Sequence, residues 1–207
     1  MLIPFKDIYK QFNLKISGIL HVGAHECEEL RDYVSHNINP QQIYWVEAME
    51  HKVLLMKSQN VPNIYQAFVD DVDNKEIIFN VSNNGQSSSL LDFGTHTIHH
   101  PEVKFTATIQ GKTKRLDTFI EENNIPIQHL NFLNLDIQGV ELRALKSMEK
   151  YLSHVDYIYT EINTDYVYKD CNLVGEIDEY LKKFGFTRVT TKIASNFGWG
   201  DAFYIKQ

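Results

Sequence analysis

An α/β fold built on a mostly parallel, doubly wound sheet is the prediction for this chain, and three observations carry it. First, Ile19–Val22 (ILHV) reads as a short apolar strand that runs into Gly23 and then a helix start. Second, apolar strand signals alternate with helical ones, the pattern of βαβ units around a parallel sheet. Third, the next strand, residues 43–46, ends on Glu47, an acidic group where such folds hold the ribose of an adenosine-containing ligand.

An N-terminal segment, residues 1–17, precedes the first strand. The pattern then predicts a helix over 28–35, a strand over 43–46, a helix over 52–58 and a strand over 63–67. There the rhythm changes. Residues 76–81 are strand-like, 82–89 (SNNGQSSS) form a polar loop, and 104–109 alternate as an antiparallel strand does. Residues 69–114 are therefore expected to form an insertion with its own β-hairpin, overhanging the carboxyl edge of the sheet. A helix over 116–123 follows, capped by Asp117 or Thr118, with Thr118 and Glu121 at capping-box spacing. Residues 131–135 read as a strand, and 140–152 as a helix whose Leu142, Leu145, Met148 and Leu152 make a core stripe. A strand over 155–160 comes next, then a helix marked by Leu173, Ile177, Leu181 and Phe184 that Gly185 stops. Residues 186–193 and 202–205 close the sheet as an antiparallel hairpin around 194–200. The whole of 1–207 reads as one domain.

The chain's 207 residues suffice for one substantial core, and 43% hydrophobic with 23% charged residues is the composition of an ordinary globular protein. A net charge of −7 argues against a nucleic-acid surface. Cys27 and Cys171 lie far apart, so neither a disulfide framework nor a zinc site is expected. Lys6, Asp7 and Lys10 interrupt the apolar start, unlike a signal peptide, and no window is long enough to span a membrane. A cytoplasmic location is the expectation.

Ligands of doubly wound sheets lie at the carboxyl ends of the strands. Those ends carry His21, Gly23 and His25, then Glu47 and Ala48, then Asp70 and Asp71, then Asp136 and Gln138, and finally Glu161 and Asn163. Acidic groups at four successive strand ends are better explained by a site than by helix capping. The G-x-G-x-x-G dinucleotide fingerprint is absent, because the positions after Gly23 hold His25 and Cys27. A pyrophosphate needs those glycines and a free helix N-terminus. S-adenosylmethionine (SAM), which has no phosphate, does not. His21, Gly23, Ala24, His25, Glu47, Ala48, Asp70 and Asp136 are the candidate cofactor-binding residues, with Glu47 on the ribose hydroxyls.

The block at 131–145, NFLNLDIQGVELRAL, is the second specific signal. With ILHVGAH, WVEAME, NNGQSSSL, RLDTFI and WGDAFYI, the chain resembles the FkbM-type SAM-dependent methyltransferases from about Gly18 to its end. The resemblance implies a Rossmann-like class I methyltransferase sheet, SAM as cofactor, and methylation of a hydroxyl on a sugar, glycan or other small molecule. Departures are visible. The family's D-V-G-A-N-x-G reads His21-Val22-Gly23-Ala24-His25-Glu26-Cys27, its Glu-Pro reads Glu47-Ala48, and its D-V-E-G reads Asp136-Ile137-Gln138-Gly139.

Methyl transfer to an alcohol needs alignment and a group to take the hydroxyl proton. Asp136 ranks first for that task, Glu161 second and His25 third. Ser87, Ser88, Gln138 and Asn163 are candidate acceptor-binding groups, and Tyr166, Tyr168 and Trp199 offer aromatic surfaces for a sugar face. No metal is expected, although Asp136, Glu161 and Asn163 are oxygen ligands of the type Mg²⁺ takes. His96, His99 and His100 lack the frame of a zinc site, and Asp71-Val72-Asp73 reads as a turn. Two other functions stay open: a SAM-binding module without catalysis, suggested by the altered glycine motif, and a nucleotide- or NAD-binding enzyme.

Overall fold

Ile19–Val22 and Phe132–Leu135 are buried at every position, as strands covered on both faces must be. In the computed structural model, which describes residues 1–207, they are β1 and β7 of a chain that runs α1 (Phe5–Gln11), β1, α2 (Leu30–Ser35), β2 (Ile43–Glu47), α3 (Glu50–Ser58), β3 (Ile64–Gln66), β4 (Phe68–Val69), β5 (Glu76–Ser82), α4 (His96–His99), β6 (Phe105–Lys114), α5 (Leu116–Glu122), β7, α6 (Glu141–Ser147), β8 (Tyr157–Asn163), α7 (Val174–Lys182), β9 (Phe186–Ile193) and β10 (Trp199–Lys206). The main sheet has the order β3-β2-β1-β7-β8-β10-β9, with β10 antiparallel to both of its neighbours. This is the predicted α/β architecture, mostly parallel with antiparallel strands at the C-terminal end.

Neighbouring residues on one strand go to opposite cores. Leu20, Leu133 and Ile158 pack with Leu116, Leu145 and Ile177 of α5, α6 and α7. Ile19, Phe132 and Tyr159 pack with Phe5, Tyr33 and Met56 of α1, α2 and α3. Strand order reverses between β1 and β7, where Val22 pairs with Leu135. Gly23 and Asp136 therefore leave the sheet side by side, at the place where ligands of such folds bind.

A separate three-stranded sheet, β4-β6-β5, follows β3. Its hairpin pairs Glu76 with Lys112 through to Ser82 with Phe105, and Phe68 and Phe79 pack against Met49 to join it to the main body. No helix is long and apolar enough to cross a membrane.

Local expectations differ from the structure at several points. Helix α2 starts at Leu30 and not at residue 28, because Cys27 takes a left-handed φ of +53°. The helix expected over 140–152 ends at Ser147, where Met148 (φ −120°) leaves helical backbone, and a 3-10 turn, Glu149–His154, follows. Leu142, Leu145, Met148 and Leu152 are nonetheless all buried. Helix α5 is flanked by Arg115, and the capping box does not form: Thr118 Oγ1 donates to Asp73 at 2.7 Å and Glu121 pairs with Lys150.

Candidate active site

A cavity of about 560 Å³ opens at the carboxyl ends of β1, β2, β7 and β8, within the size range of small-molecule sites. The insertion roofs it with residues 84–88, and with His96, His100 and Glu102. Glu28, Glu29, Glu47, Glu102, Asp136, Glu161 and Asp201 line it, and neither Lys nor Arg does.

The turn after β1 is built by backbone contacts. Gly23 and Ala24 both donate to the carbonyl of Val46, at 2.9 and 3.0 Å. Gly23 has φ +90°, and His25 (φ +45°) and Cys27 (φ +53°) hold left-handed backbone without being glycine. The loop thus keeps a glycine-type path although the second glycine of the family pattern is a cysteine. Glu47 locks this path from below. Its Oε2 accepts from the His25 amide at 2.7 Å and its Oε1 from the Met49 amide at 2.9 Å, while burial pushes its pKa up. Each carboxylate oxygen has a second lone pair, so each can accept one further hydrogen bond. His25 is held through Nδ1 by Glu28 at 2.5 Å. Burial opposes ionisation of Glu28, but the bond from His25 keeps its pKa low, at about 2.

At the tips of β7 and β8 one amide joins two acids. Gln138 Nε2 donates to Asp136 Oδ1 at 2.7 Å and to Glu161 Oε2 at 2.6 Å, and Gln138 Oε1 accepts from Tyr168 Oη at 2.5 Å. Asp136 is the exposed partner, whereas Glu161 is only 5% exposed. Burial, then the charges of Asp136, Glu141 and Asp201, push Glu161 well above the usual carboxylate range. Two acids in contact cannot both ionise cheaply, so the buried one keeps the proton. Asp201 faces Glu161 across the β8–β10 pairing and accepts from Tyr159 Oη and the Leu2 amide. Below them Glu141, buried, caps the turn after β7 by accepting from the amides of Ile137 (3.0 Å) and Gly139 (3.1 Å). Burial raises its pKa to about 7.

The structure brings His21, Gly23, Ala24, His25, Glu47, Ala48, Ser87, Ser88, Asp136, Gln138 and Glu161 to this cavity. Asp70 and Asn163 lie elsewhere. Asp70 is not a cavity residue: it follows β4 of the small sheet and sits 3.7 Å from both Lys75 and Arg143. Asn163 ends β8 wholly buried, paired with Trp199, and does not reach the cavity. Glu161 is a strand residue inside β8, since that strand extends to Asn163. Ser88 spends its hydroxyl on the Gly85 carbonyl at 2.9 Å, and Ser87 accepts from Asn84 at 3.0 Å, so both serve mainly to shape the loop. Tyr166 is exposed away from the cavity, whereas Tyr168 and Trp199 line it. Asp201 and Tyr33 were not singled out in the sequence, because their partners lie far along the chain; Glu141, whose partners Ile137 and Gly139 are local, was not assigned a role there either.

Fold and site together define a methyltransferase of the Rossmann-like α/β class, and comparison with known proteins agrees. The sequence matches the family profile described as the methyltransferase FkbM domain over residues 21–188. The chain belongs to the FkbM methyltransferases, a family that uses SAM. No curated protein matches it. Among solved structures, magnesium protoporphyrin IX methyltransferase from Synechocystis PCC 6803, crystallised with SAM, is similar over 98% of this chain and 76% of that one (TM-score 0.53, 10% identity). Methyltransferase FkbM from Methylobacillus flagellatus KT is similar over 91% of this chain, which spans only 43% of that protein (TM-score 0.55, 11% identity). A protein of the NADB-Rossmann superfamily from Streptococcus agalactiae matches over all of this chain and 68% of its own length (TM-score 0.51, 9% identity). Identities this low speak for the fold alone.

The residues present fit SAM. Glu47 offers open lone pairs for ribose hydroxyls, Gly23 and Ala24 present small groups beside it, and Met49, Phe68 and Val69 form an apolar wall suited to a purine.

Proposed function

We propose that this protein is a SAM-dependent O-methyltransferase whose acceptor is a hydroxyl of an uncharged sugar or glycan. The observation that carries the reading is the Asp136–Gln138–Glu161 constellation at the strand tips. SAM, when bound, supplies an electrophilic methyl group. The chain's own residues supply the rest. Glu47 and the Gly23 turn hold the nucleoside. Asp136, open to the cavity, takes the proton that the acceptor hydroxyl loses as its oxygen forms the new bond. Gln138 fixes the direction of that carboxylate, and Glu161, kept protonated by its burial, adds no second negative charge beside it.

The lining supports the acceptor class. With seven carboxyl groups in the lining and neither Lys nor Arg, a phosphorylated or carboxylated acceptor is disfavoured against a neutral one. Gln86 and Trp199 offer hydrogen bonds and an aromatic surface to a neutral polyol. A panel of neutral, amino and acidic sugars, assayed for release of S-adenosylhomocysteine (SAH), tests this. Turnover restricted to acidic or non-carbohydrate acceptors would refute the sugar assignment and leave the methyltransferase class standing.

A further inference from the structure

His21 stands where the family pattern carries an acid, at the end of β1 on the cavity floor. Its ring is almost wholly buried and packs against Trp45, centroid to centroid 4.8 Å. Nδ1 lies 3.1 Å from Tyr33 Oη and 3.5 Å from Asn134 Nδ2, which itself donates to Tyr33 Oη at 2.8 Å.

The proton count over these three side chains fixes the tautomer. Tyr33 is fully buried, and that burial keeps its phenol protonated. Its oxygen accepts from Asn134, so its own proton has His21 Nδ1 as the acceptor within reach. A ring protonated at Nδ1 would leave that buried O–H unsatisfied, which is costly. Turning the Asn134 amide over would orphan buried N–H donors, and orphaned donors are rarer than carbonyl oxygens with a free lone pair. Nδ1 is therefore an acceptor, and the proton sits on Nε2. Nε2 has no partner within the protein. Burial lowers the imidazole pKa to about 4, so the ring stays neutral. The end of β1 thus offers one fixed, uncharged N–H where an acid would offer a negative oxygen.

The cavity needs such a donor. SAM and SAH carry a carboxylate on their amino-acid arm; no Lys or Arg lines the cavity to meet it, and the Met1 ammonium there is paired with Glu29 at 3.7 Å. With Glu47 on the ribose and the apolar Met49 and Phe68 beyond, the end near β1 and β7 is left for that arm. We propose that His21 Nε2–H donates a hydrogen bond to the cofactor's carboxylate, with Tyr33 and Asn134 as positioning residues that hold the tautomer. The inference rests on the SAM-dependent reading and adds the polarity of one contact within it.

Calorimetry with SAH and with 5′-methylthioadenosine, which keeps the nucleoside and sulfur but lacks the amino-acid arm, separates the two. His21→Phe preserves a ring against Trp45 and removes the donor. It should weaken SAH about ten-fold or more and leave 5′-methylthioadenosine within about two-fold. Equal loss of both ligands, or loss of neither, overturns the contact. Failure of the wild-type protein to bind either nucleoside overturns the cofactor reading itself, and the contact with it. If the variant does not fold, nitrogen-15 NMR of the wild-type imidazole decides. Protonated Nε2 with bare Nδ1 at about pH 6–8, and an Nε2–H signal that moves with SAH but not with 5′-methylthioadenosine, is the expected result. A protonated Nδ1, or a signal indifferent to SAH, refutes the proposal. Tyr33→Phe should let the two tautomers mix.

Discussion

The backbone carbonyl of Asp136 occupies the space that a β-carbon on Gly23 would need, 1.7 Å from its ideal position. These two residues leave β1 and β7 side by side, and the turn between sheet and cavity closes only because one has no side chain. Gly23 is thus a structural requirement of the site before any cofactor approaches it. Its φ of +90° adds a second reason, since residues with side chains seldom adopt that angle.

Gly23→Ala should therefore lose global stability, by about 3 kcal/mol or more, whether or not SAH is present. Denaturant unfolding measures it. A variant that unfolds like the wild type and loses only cofactor affinity would contradict the packing between β1 and β7.

Glu47→Ala should act on two levels. Removing the ribose acceptor weakens SAH about ten- to a hundred-fold. The same change strips the His25 and Met49 amides of their acceptor, costing about 1–3 kcal/mol of stability. Calorimetry on the folded variant and a chemical melt read the two separately. Unchanged SAH affinity would remove Glu47 from the cofactor site.

Glu141 gives a pH signature. Its folded pKa, about 7, lies above the usual 4.5 because burial opposes its charge, with Asp136 adding to the rise. Between those values the folded state holds the proton that the unfolded state has released. Its contribution to stability is full below about pH 4.5 and is lost as pH rises through about 7, by up to about 3 kcal/mol. Glu141→Gln should flatten that part of the stability profile. A wild-type protein equally stable at pH 5 and pH 8, on the order of a few tenths of a kcal/mol, would contradict a protonated Glu141.

Gln138 tests the acid pair. Gln138→Glu returns the acid of the family pattern but replaces the shared N–H donor with a third carboxylate facing Asp136 and Glu161. Like charges disfavour ionisation of their neighbours, so the acid limb of the pH–rate profile should move up by about one unit. Gln138→Leu should instead lower kcat with little change in SAH affinity. An unmoved profile in the first variant would show that the amide does not govern the base.

Much of the fold was legible because β1, β2 and β7 are mostly apolar, with His21, Glu47 and Asn134 the exceptions, as buried parallel strands require. Glu47 and Asp136 were legible for a related reason, as acids placed just where apolar runs stop. Asp70 misled because the third strand stops at Gln66, and the acid belongs to the small sheet, where Lys75 and Arg143 face it. Helix α4 carried no apolar period. Its entry is held by tertiary backbone bonds, Gly94 to Val167 at 2.8 Å and Thr95 to Tyr166 at 2.9 Å. Asp201 joins Glu161 only through strand register, and Tyr33 meets His21 only because α2 packs on β1. Pairings of this kind leave no local trace in a sequence.

The same constellation bears on metal use. Gln138 Nε2 lies between the carboxylates of Asp136 and Glu161, in the position from which a bridging cation would hold both, and it satisfies each with a hydrogen bond. Asn163, the third oxygen ligand the sequence offered, is buried away from the cavity. A magnesium ion there would have to displace the amide and pull the proton from Glu161, which burial holds in place. Methyl transfer should therefore persist, within about two-fold, after exhaustive chelation. Rates measured before and after chelation, with Mg²⁺ and Ca²⁺ added back, decide the matter. Activity lost to chelation and restored by Mg²⁺ alone would turn Asp136 and Glu161 into ligands and leave the acceptor proton to another group.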